Sequence, residues 1–184
     1  AAGLGACLTP LGEPQKFAVE SLGLASLEEK DKKALLEFQK KAGELQRAMM
    51  GAGAAAEEAL KNIQLMKKAL LDTPKADPKL LERARALEVR INGQMRILFG
   101  DFTVRRRNEP AAPSLMDRVS AQLGSTCPIT GTVKRDYDIA ADGFGKLLEE
   151  MRAAIELDLR KLGQELEAAG APWTPGRGLP VWKK

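Results

Sequence analysis

The chain has 184 residues, of which 44% are hydrophobic and 29% charged, a balance that suits one folded domain and not a disordered chain. The formal net charge is +4, with both signs interspersed along the predicted helices, which indicates a solvated surface and not a nucleic-acid-binding face. The sequence contains no histidine, which excludes a Ser-His-Asp triad, a Cys-His pair and any histidine-based metal site.

Residues 1–25 are punctuated by glycine and proline and differ from the rest of the chain. Residues 16–20 alternate with a period of two, which predicts one short strand. A single strand needs partners for its backbone groups, so we interpret residues 1–25 as a β segment, either the end of an upstream β-sandwich-like module or a strand lying along the helices. The chain begins without Met and without a signal-peptide pattern, so we expect a processed chain or a piece of a longer protein.

A long amphipathic helix is predicted to follow, from about Leu27 to Leu71, roughly 65 Å long at about 1.5 Å per residue. Residues 26–29 form a capping-box sequence, and apolar positions then recur in alternating steps of three and four. This heptad seam consists of Leu35, Phe38, Ala42, Leu45, Met49, Ala52, Ala56, Ala59, Ile63, Met66 and Leu70. Its phase is unchanged across Gly51 and Gly53, which favours one continuous helix over a hinge at this point.

Two further long helices and one short helix are predicted. The second runs from Asp77 and Pro78 to Gly100, and its short link to the first makes the two antiparallel neighbours. A polar loop at 101–113 precedes a short helix from Ser114 to about Gly124. The third long helix runs from residues 130–132 to about Ala169, and its seam comprises Tyr137, Ala141, Phe144, Leu148, Met151, Ile155, Leu162 and Leu166.

The predicted fold is therefore mainly α: an antiparallel bundle of three long helices plus one short helix, with a short N-terminal β segment. We assign the bundle to residues 26–170 and an extended C-terminal arm to residues 171–184. The arm is rich in proline and glycine, and we expect it to lie on the surface with its two tryptophan side chains docked. No stretch of about 18 apolar residues could span a membrane.

Five side chains are candidate interaction residues. Arg105, Arg106 and Arg107 form the densest basic run and could contact an anion, although no aromatic platform accompanies them and a solvated loop is favoured. Trp173 and Trp182 could stack on a sugar or a partner, although tail aromatics more often attach an arm to its own domain.

No catalytic, cofactor-binding or metal site is predicted. Asp136, Asp138 and Asp142 could form a cation site, but they are better explained as acidic residues near a helix N-terminus, since no calcium loop surrounds them. Cys7 and Cys127 cannot form a zinc site alone, and the sequence leaves open whether they pair.

Several strings together resemble a known architecture: residues 11–17, 38–41 with 45–48, 100–103, 113–119 and 171–177. In this order they resemble the C-terminal helical region of bacterial proteins with a BNR-repeat, sortilin-like β-propeller, which are often labelled glycosyl hydrolases or sialidase-like. The resemblance implies that residues 1–25 end a β module and that the parent protein is exported, to the periplasm or outside the cell. It carries over no catalytic residue, because hydrolase chemistry would sit in the propeller.

The leading functional hypothesis is a non-catalytic interaction or scaffold module that docks its parent propeller, a partner subunit or a second copy. Its basis is the long seam, which exceeds what the second helix can cover and would need the third helix or another chain. The alternative is an accessory or substrate-positioning region of a glycan-active hydrolase, with the arm near the sugar. Under either hypothesis this chain itself is not expected to be an enzyme.

Overall fold

The computed structural model describes residues 12, 13, 15–20, 31–121 and 123–180. All regular secondary structure in these ranges is helical, which confirms the predicted mainly α bundle. The elements in chain order are α1 (Lys32–Leu71), α2 (Pro78–Phe99), α3 (Phe102–Arg106), α4 (Leu115–Ser120), α5 (Gly131–Arg152), a π-helical segment (Ala153–Asp158) and α6 (Leu159–Ala168).

Helix α1 is the spine of the bundle. Its 40 residues run without interruption through Gly51 and Gly53, so the prediction of one continuous helix is confirmed and the hinge alternative is wrong. At about 1.5 Å per residue it is about 60 Å long. Every seam position predicted between Leu35 and Leu70 is buried or half-buried, and α2, α4, α5 and α6 all pack on it. The seam is therefore covered within a single chain.

The start of α1 differs from the prediction. Asp31 lies outside the helix, and its carboxylate accepts a hydrogen bond from the backbone amide of Ala34 at 3.0 Å. This side-chain cap satisfies an amide that the first helical turn leaves unpaired, so the helix begins at Lys32 and the predicted start near Leu27 is wrong. The capping-box sequence at 26–29 lies outside the described residues.

Helix α2 returns antiparallel to α1, as predicted. The Asp77 carboxylate accepts from the amide of Lys79 at 2.9 Å, and Gly100 ends the helix with a φ of +86°. The ammonium of Lys67 on α1 lies 2.6 Å from the carboxylate of Glu88 on α2. The caps and the short connection thus fix both the ends and the direction of α2.

Two short helices occupy the connection between α2 and α5. The region predicted as a loop contains α3, because the Asp101 carboxylate accepts from the amide of Thr103 at 2.8 Å and starts a five-residue helix. Helix α4 begins with the expected cap at Ser114, which forms a reciprocal pair of hydrogen bonds with Asp117. It ends at Ser120, earlier than the predicted end near Gly124.

The third long helix is continuous but not uniformly α-helical. It begins after Thr130, as predicted, and its buried positions alternate in steps of three and four as far as Ala154. The next buried position is Leu159, five residues later, and the π-helical segment lies between the two. A π-turn closes hydrogen bonds between residues five apart, so it absorbs one extra residue and returns Leu162 and Leu166 to the core.

The strand predicted at residues 16–20 is absent. The structure gives residues 15–20 no regular secondary structure and leaves all of them exposed, including Phe17 and Val19. The physical reason is that a strand needs a neighbour for its backbone groups, and no second strand occurs among the described residues. Assignment of residues 1–25 to an upstream module stays a prediction.

Candidate functional site

A groove of about 960 Å³ lies between α1, the π-helical segment, α6 and the C-terminal arm. Its apolar lining comes from Ala55 and Ala59 on α1 and from Ile155, Leu159 and Gly163 on the facing helix. The groove belongs to the size range of ligand and peptide sites, which makes it the candidate functional site.

Arg177 fastens the arm to one side of this groove. Its side chain is only 2% exposed, and its Nη1 donates to the carbonyl oxygens of Ala171 at 3.3 Å and Pro172 at 2.8 Å. Its Nη2 forms a salt bridge with the carboxylate of Glu167 on α6. A β-carbon at Gly163 would lie 3.4 Å from Cγ of Arg177, so the arginine stem runs over this glycine. One side chain therefore ties the arm to the end of α6.

The arm also approaches α1 closely. Gly176 has a φ of +82°, and a β-carbon there would overlap the side-chain amide of Asn62 on α1. Both constraints require glycine at this position. The arm is thus held between α6 and α1, and residues 176–179 form one wall of the groove.

Trp173 is attached to the arm itself and not to the bundle core. Its indole Nε1 donates to the carbonyl oxygen of Gly178 at 2.9 Å, and the side chain remains 49% exposed. The indole N–H is satisfied while half of the residue faces solvent. Trp182, the second aromatic residue that we predicted to dock, lies outside the described residues.

Some charged side chains that line the groove form salt bridges and others do not. Glu167 is paired with Arg177, whereas Glu58, Glu156 and Arg160 form no salt bridge with any described residue. These three leave one uncompensated negative charge, and Arg160 is the single unpaired cation that lines the groove within the described ranges. The groove therefore favours a basic occupant over an acidic one.

The three arginines of the basic run at 105–107 each make a local contact. Arg105 forms a salt bridge with Asp117, and Nε of Arg107 lies 2.9 Å from the carboxylate of Glu109. The guanidinium carbon of Arg106 lies 5.4 Å from the ring centroid of Phe102. All three arginines are exposed, and each charge has a local partner. Whether the run contacts an anion or is a solvated loop stays a prediction.

Asp117 is the best-connected carboxylate of this region. Partial burial alone would raise its pKa, but hydrogen bonds from the hydroxyl and the backbone of Ser114, together with Arg105, hold the pKa below its ordinary value. Asp117 therefore stays ionised and anchors the start of α4.

The aspartates and cysteines considered as candidate metal ligands do not come together in the described residues. Asp136 forms a salt bridge with Arg118, whereas Asp138 and Asp142 are exposed. Cys127 is exposed, and Cys7 lies outside the described residues. In the described ranges, no group of three or more potential metal ligands lies close together.

Sequence reasoning missed two buried polar side chains, Gln94 and Arg177. Gln94 is 3% exposed in the core of α2, and neither its Oε1 nor its Nε2 has a hydrogen-bond partner in the described residues. Its signal is its spacing, because Gln94 lies three positions after Ile91 and four before Leu98, both buried on α2. The buried role of Arg177 had no recognisable sequence signature, although its acceptors Glu167, Ala171 and Pro172 lie within ten residues of it.

Comparisons with models of known protein families, with curated proteins and with solved structures give no match. The resemblance to propeller-associated helical regions, and the exported location that it implies, therefore stay predictions. Among the described residues, no helix combines the length and the apolar character that crossing a bilayer requires.

Proposed function

We propose that this chain is a non-catalytic interaction or scaffold module of a larger exported propeller protein or complex, and that its residues 16–20 attach it to a β-rich domain. The observation that carries the proposal is the exposure of two large apolar side chains near the N-terminus: Phe17 is 84% exposed and Val19 is 85% exposed. Residues two apart project to the same side of an extended chain, so together they can form one apolar face.

The helical bundle suits the role of a rigid spacer. Helix α1 is about 60 Å long, and its seam is covered along its length by the other helices. Salt bridges between Arg83 and Glu165 and between Arg90 and Asp158 link α2 to the third long helix. Such a spacer holds a partner that binds at one end of the bundle at a fixed distance from the opposite end.

Strand addition is the recognition mode that this segment fits. The backbone of residues 16–20 would pair with the edge of a sheet, and Phe17 and Val19 would enter apolar pockets on one face. Burial of each side chain contributes about 1.5–3 kcal/mol. Lys16, Ala18 and Glu20 would face the opposite side, where charge is tolerated.

The test compares three forms of the protein as baits in cells that contain the natural partner: the wild type, a Phe17→Ser/Val19→Ser variant, and Ala18→Ser as the matched control. All the changed residues are exposed, so circular dichroism should be unaltered. We expect the wild type and Ala18→Ser to retain one β-rich partner or parent domain that the double variant loses. Hydrogen exchange at residues 16–20 should slow in that complex. Identical captures by all three baits, or unprotected amides in the complex, would overturn the proposal.

One observation favours the glycan-related alternative. The half-exposed indole of Trp173 is fixed by its hydrogen bond to Gly178, which leaves a rigid aromatic surface beside the arm. Isothermal titration against a glycan panel, with Trp173→Ala as the comparison, tests this role. Heat released by the wild type and absent from the variant would support it, and no heat with any glycan would count against it.

A further inference from the structure

We propose that the groove between α1 and α6 binds an extended basic segment of a partner protein. In this complex, lysine or arginine side chains of the partner pair with Glu58 and Glu156, and its apolar side chains cover the apolar lining. This surface is separate from residues 16–20, so it can bind its ligand whether or not those residues attach the chain to a β-rich domain.

Two carboxylates that line the groove are available to a cation. Glu58 lies on α1 and Glu156 in the π-helical segment; both are exposed, and neither forms a salt bridge with a described residue. Glu156 and Arg160 are four residues apart on one helix, a spacing at which opposite charges often pair, yet no salt bridge joins them. Because Glu167 is already paired with Arg177, the charges that line the groove sum to one negative charge, which favours a cationic ligand.

Apolar side chains lie in the same groove as these carboxylates. Ala55 and Leu159 line it together with Ile155, which is half-buried. On the arm, Leu179 lines the same groove and is 92% exposed, so most of its side chain faces solvent. The aliphatic stem of a lysine or arginine, or a neighbouring leucine, would remove this apolar surface from water while the cationic end reaches the carboxylates.

Two side-chain amides on facing helices suit a peptide backbone. Asn62 on α1 and Gln164 on α6 both line the groove, and neither amide forms a hydrogen bond with a described residue. Each offers donors and an acceptor, the groups that pair with the C=O and N–H groups of an extended chain. A helical ligand would pair its backbone groups internally, so these amides favour an extended one.

The dimensions of the groove set the length of the bound segment. Its lining on the third long helix runs from Ile155 to Glu167, about 18 Å at about 1.5 Å per residue. An extended chain advances about 3.3 Å per residue, so roughly five or six residues span the same distance. The arm forms the remaining wall, and because Arg177 fixes it to α6, this wall is in position before a ligand binds.

Hexapeptides with blocked ends test the proposal, because their charge can be reversed without changing the protein. Fluorescence anisotropy measures the binding of dye-labelled peptides in which leucine alternates with lysine or with arginine, and of a matched peptide in which leucine alternates with glutamate. We expect a cationic peptide to bind the full chain with a dissociation constant below about 1 mM, and the glutamate peptide not to bind.

Two charge-matched double variants locate the binding. Glu58→Gln/Glu156→Gln removes two carboxylates that line the groove, whereas Glu57→Gln/Glu150→Gln removes one exposed carboxylate from α1 and one from the third long helix, both outside the groove. The first variant should weaken binding of the cationic peptide by about fivefold to tenfold, since two exposed ion pairs are lost. The second should leave the affinity within about twofold of the wild type, because distant charges are screened.

A steric pair provides an independent check. Ala54 and Ala55 are both exposed on α1, but Ala55 lines the groove and Ala54 does not. Ala55→Arg should abolish binding of the cationic peptide, and Ala54→Arg should not. The proposal would be overturned if neither cationic peptide binds the wild type below about 1 mM or if the glutamate peptide binds equally well. Equal losses within either pair of variants, with unchanged helicity, would also overturn it.

Discussion

The contact between Gly53 on α1 and Phe99 on α2 allows a matched test of why α1 contains two glycines so close together. A β-carbon at Gly53 would lie 2.5 Å from both Cε2 and Cζ of the Phe99 ring, whereas one at Gly51 would have no neighbour within 4 Å. Both glycines are in the helix interior, where alanine is favoured by about 0.5–1 kcal/mol. The two substitutions therefore share the backbone gain and differ in packing alone.

We expect Gly51→Ala to raise the free energy of unfolding by roughly that amount. Gly53→Ala should add an overpacking cost of about 1–3 kcal/mol, because the half-buried Phe99 ring must move. The two variants should then differ by about 1–3 kcal/mol, and each kcal/mol corresponds to a melting-temperature change of roughly 2–4 °C in a domain of this size. Urea denaturation followed by far-ultraviolet circular dichroism measures the difference.

A Phe99→Leu background identifies the contact responsible. With the ring removed, Gly53→Ala should become as favourable as Gly51→Ala, and the double-mutant cycle should give a coupling energy of about 0.5–3 kcal/mol. If both alanine variants stabilise the protein equally in the wild-type background, the close approach of α1 and α2 at Gly53 is refuted.

Three further predictions concern polar groups. Gln94→Met removes two buried amide atoms without partners in the described residues, so denaturation should show a gain of about 1–3 kcal/mol, and a loss would mean that the amide is satisfied in solution. Because the folded pKa of Asp117 is lowered, its stabilisation is complete above the unfolded value of about 3.9 and is lost as pH falls through the folded value. Thermal melts should thus show Asp117→Asn to be less stable than the wild type at neutral pH, and the difference in melting temperature should disappear below about pH 4. A difference that is independent of pH would contradict this. Arg177→Met leaves the carbonyls of the arm and the Glu167 carboxylate without a donor, so amide exchange at residues 171–180 should accelerate at least tenfold, or about 1.4 kcal/mol. Amides of α1 serve as the internal reference, and unchanged exchange in the arm would refute the role of Arg177 in holding the arm.

The parts of the fold that could be predicted from sequence are those set by short-range patterns. The seam of α1 follows from apolar spacing, and its phase correctly predicted continuity across Gly51 and Gly53. The caps at Asp77 and Ser114 depend on residues within four positions of the helix start, so their sequence signatures sufficed. The cap at Asp31 is equally local, but the capping-box sequence at 26–29 is the stronger signature and predicts an earlier start.

The candidate site was much less predictable, because it depends on packing between distant parts of the chain. The groove needs residues 55–62 of α1 beside residues 155–179, about a hundred positions later in the chain. The contacts of Arg177 with Ala171, Pro172 and Glu167 are closer in sequence, but they depend on a turn of the arm that no sequence signature marks. Strand prediction at 16–20 failed for a related reason: alternation describes the side chains, but a strand exists only with a partner. The position of Trp173 in the arm follows from the sequence, but its hydrogen bond to the carbonyl of Gly178 within the same arm has no sequence signature.

The π-helical segment has a consequence for how this chain should be aligned with any related sequence. The π-helical segment contains one residue more than the packing of the helix requires, yet the residues after it stay in register. It therefore resembles a single-residue insertion within a helix. A relative with one residue fewer between Ala153 and Asp158 would form an unbroken α-helix with Leu162 and Leu166 still in the core. Alignments that forbid gaps inside helices would misplace α6 and the arm by one position, and would then assign the groove residues to the wrong columns.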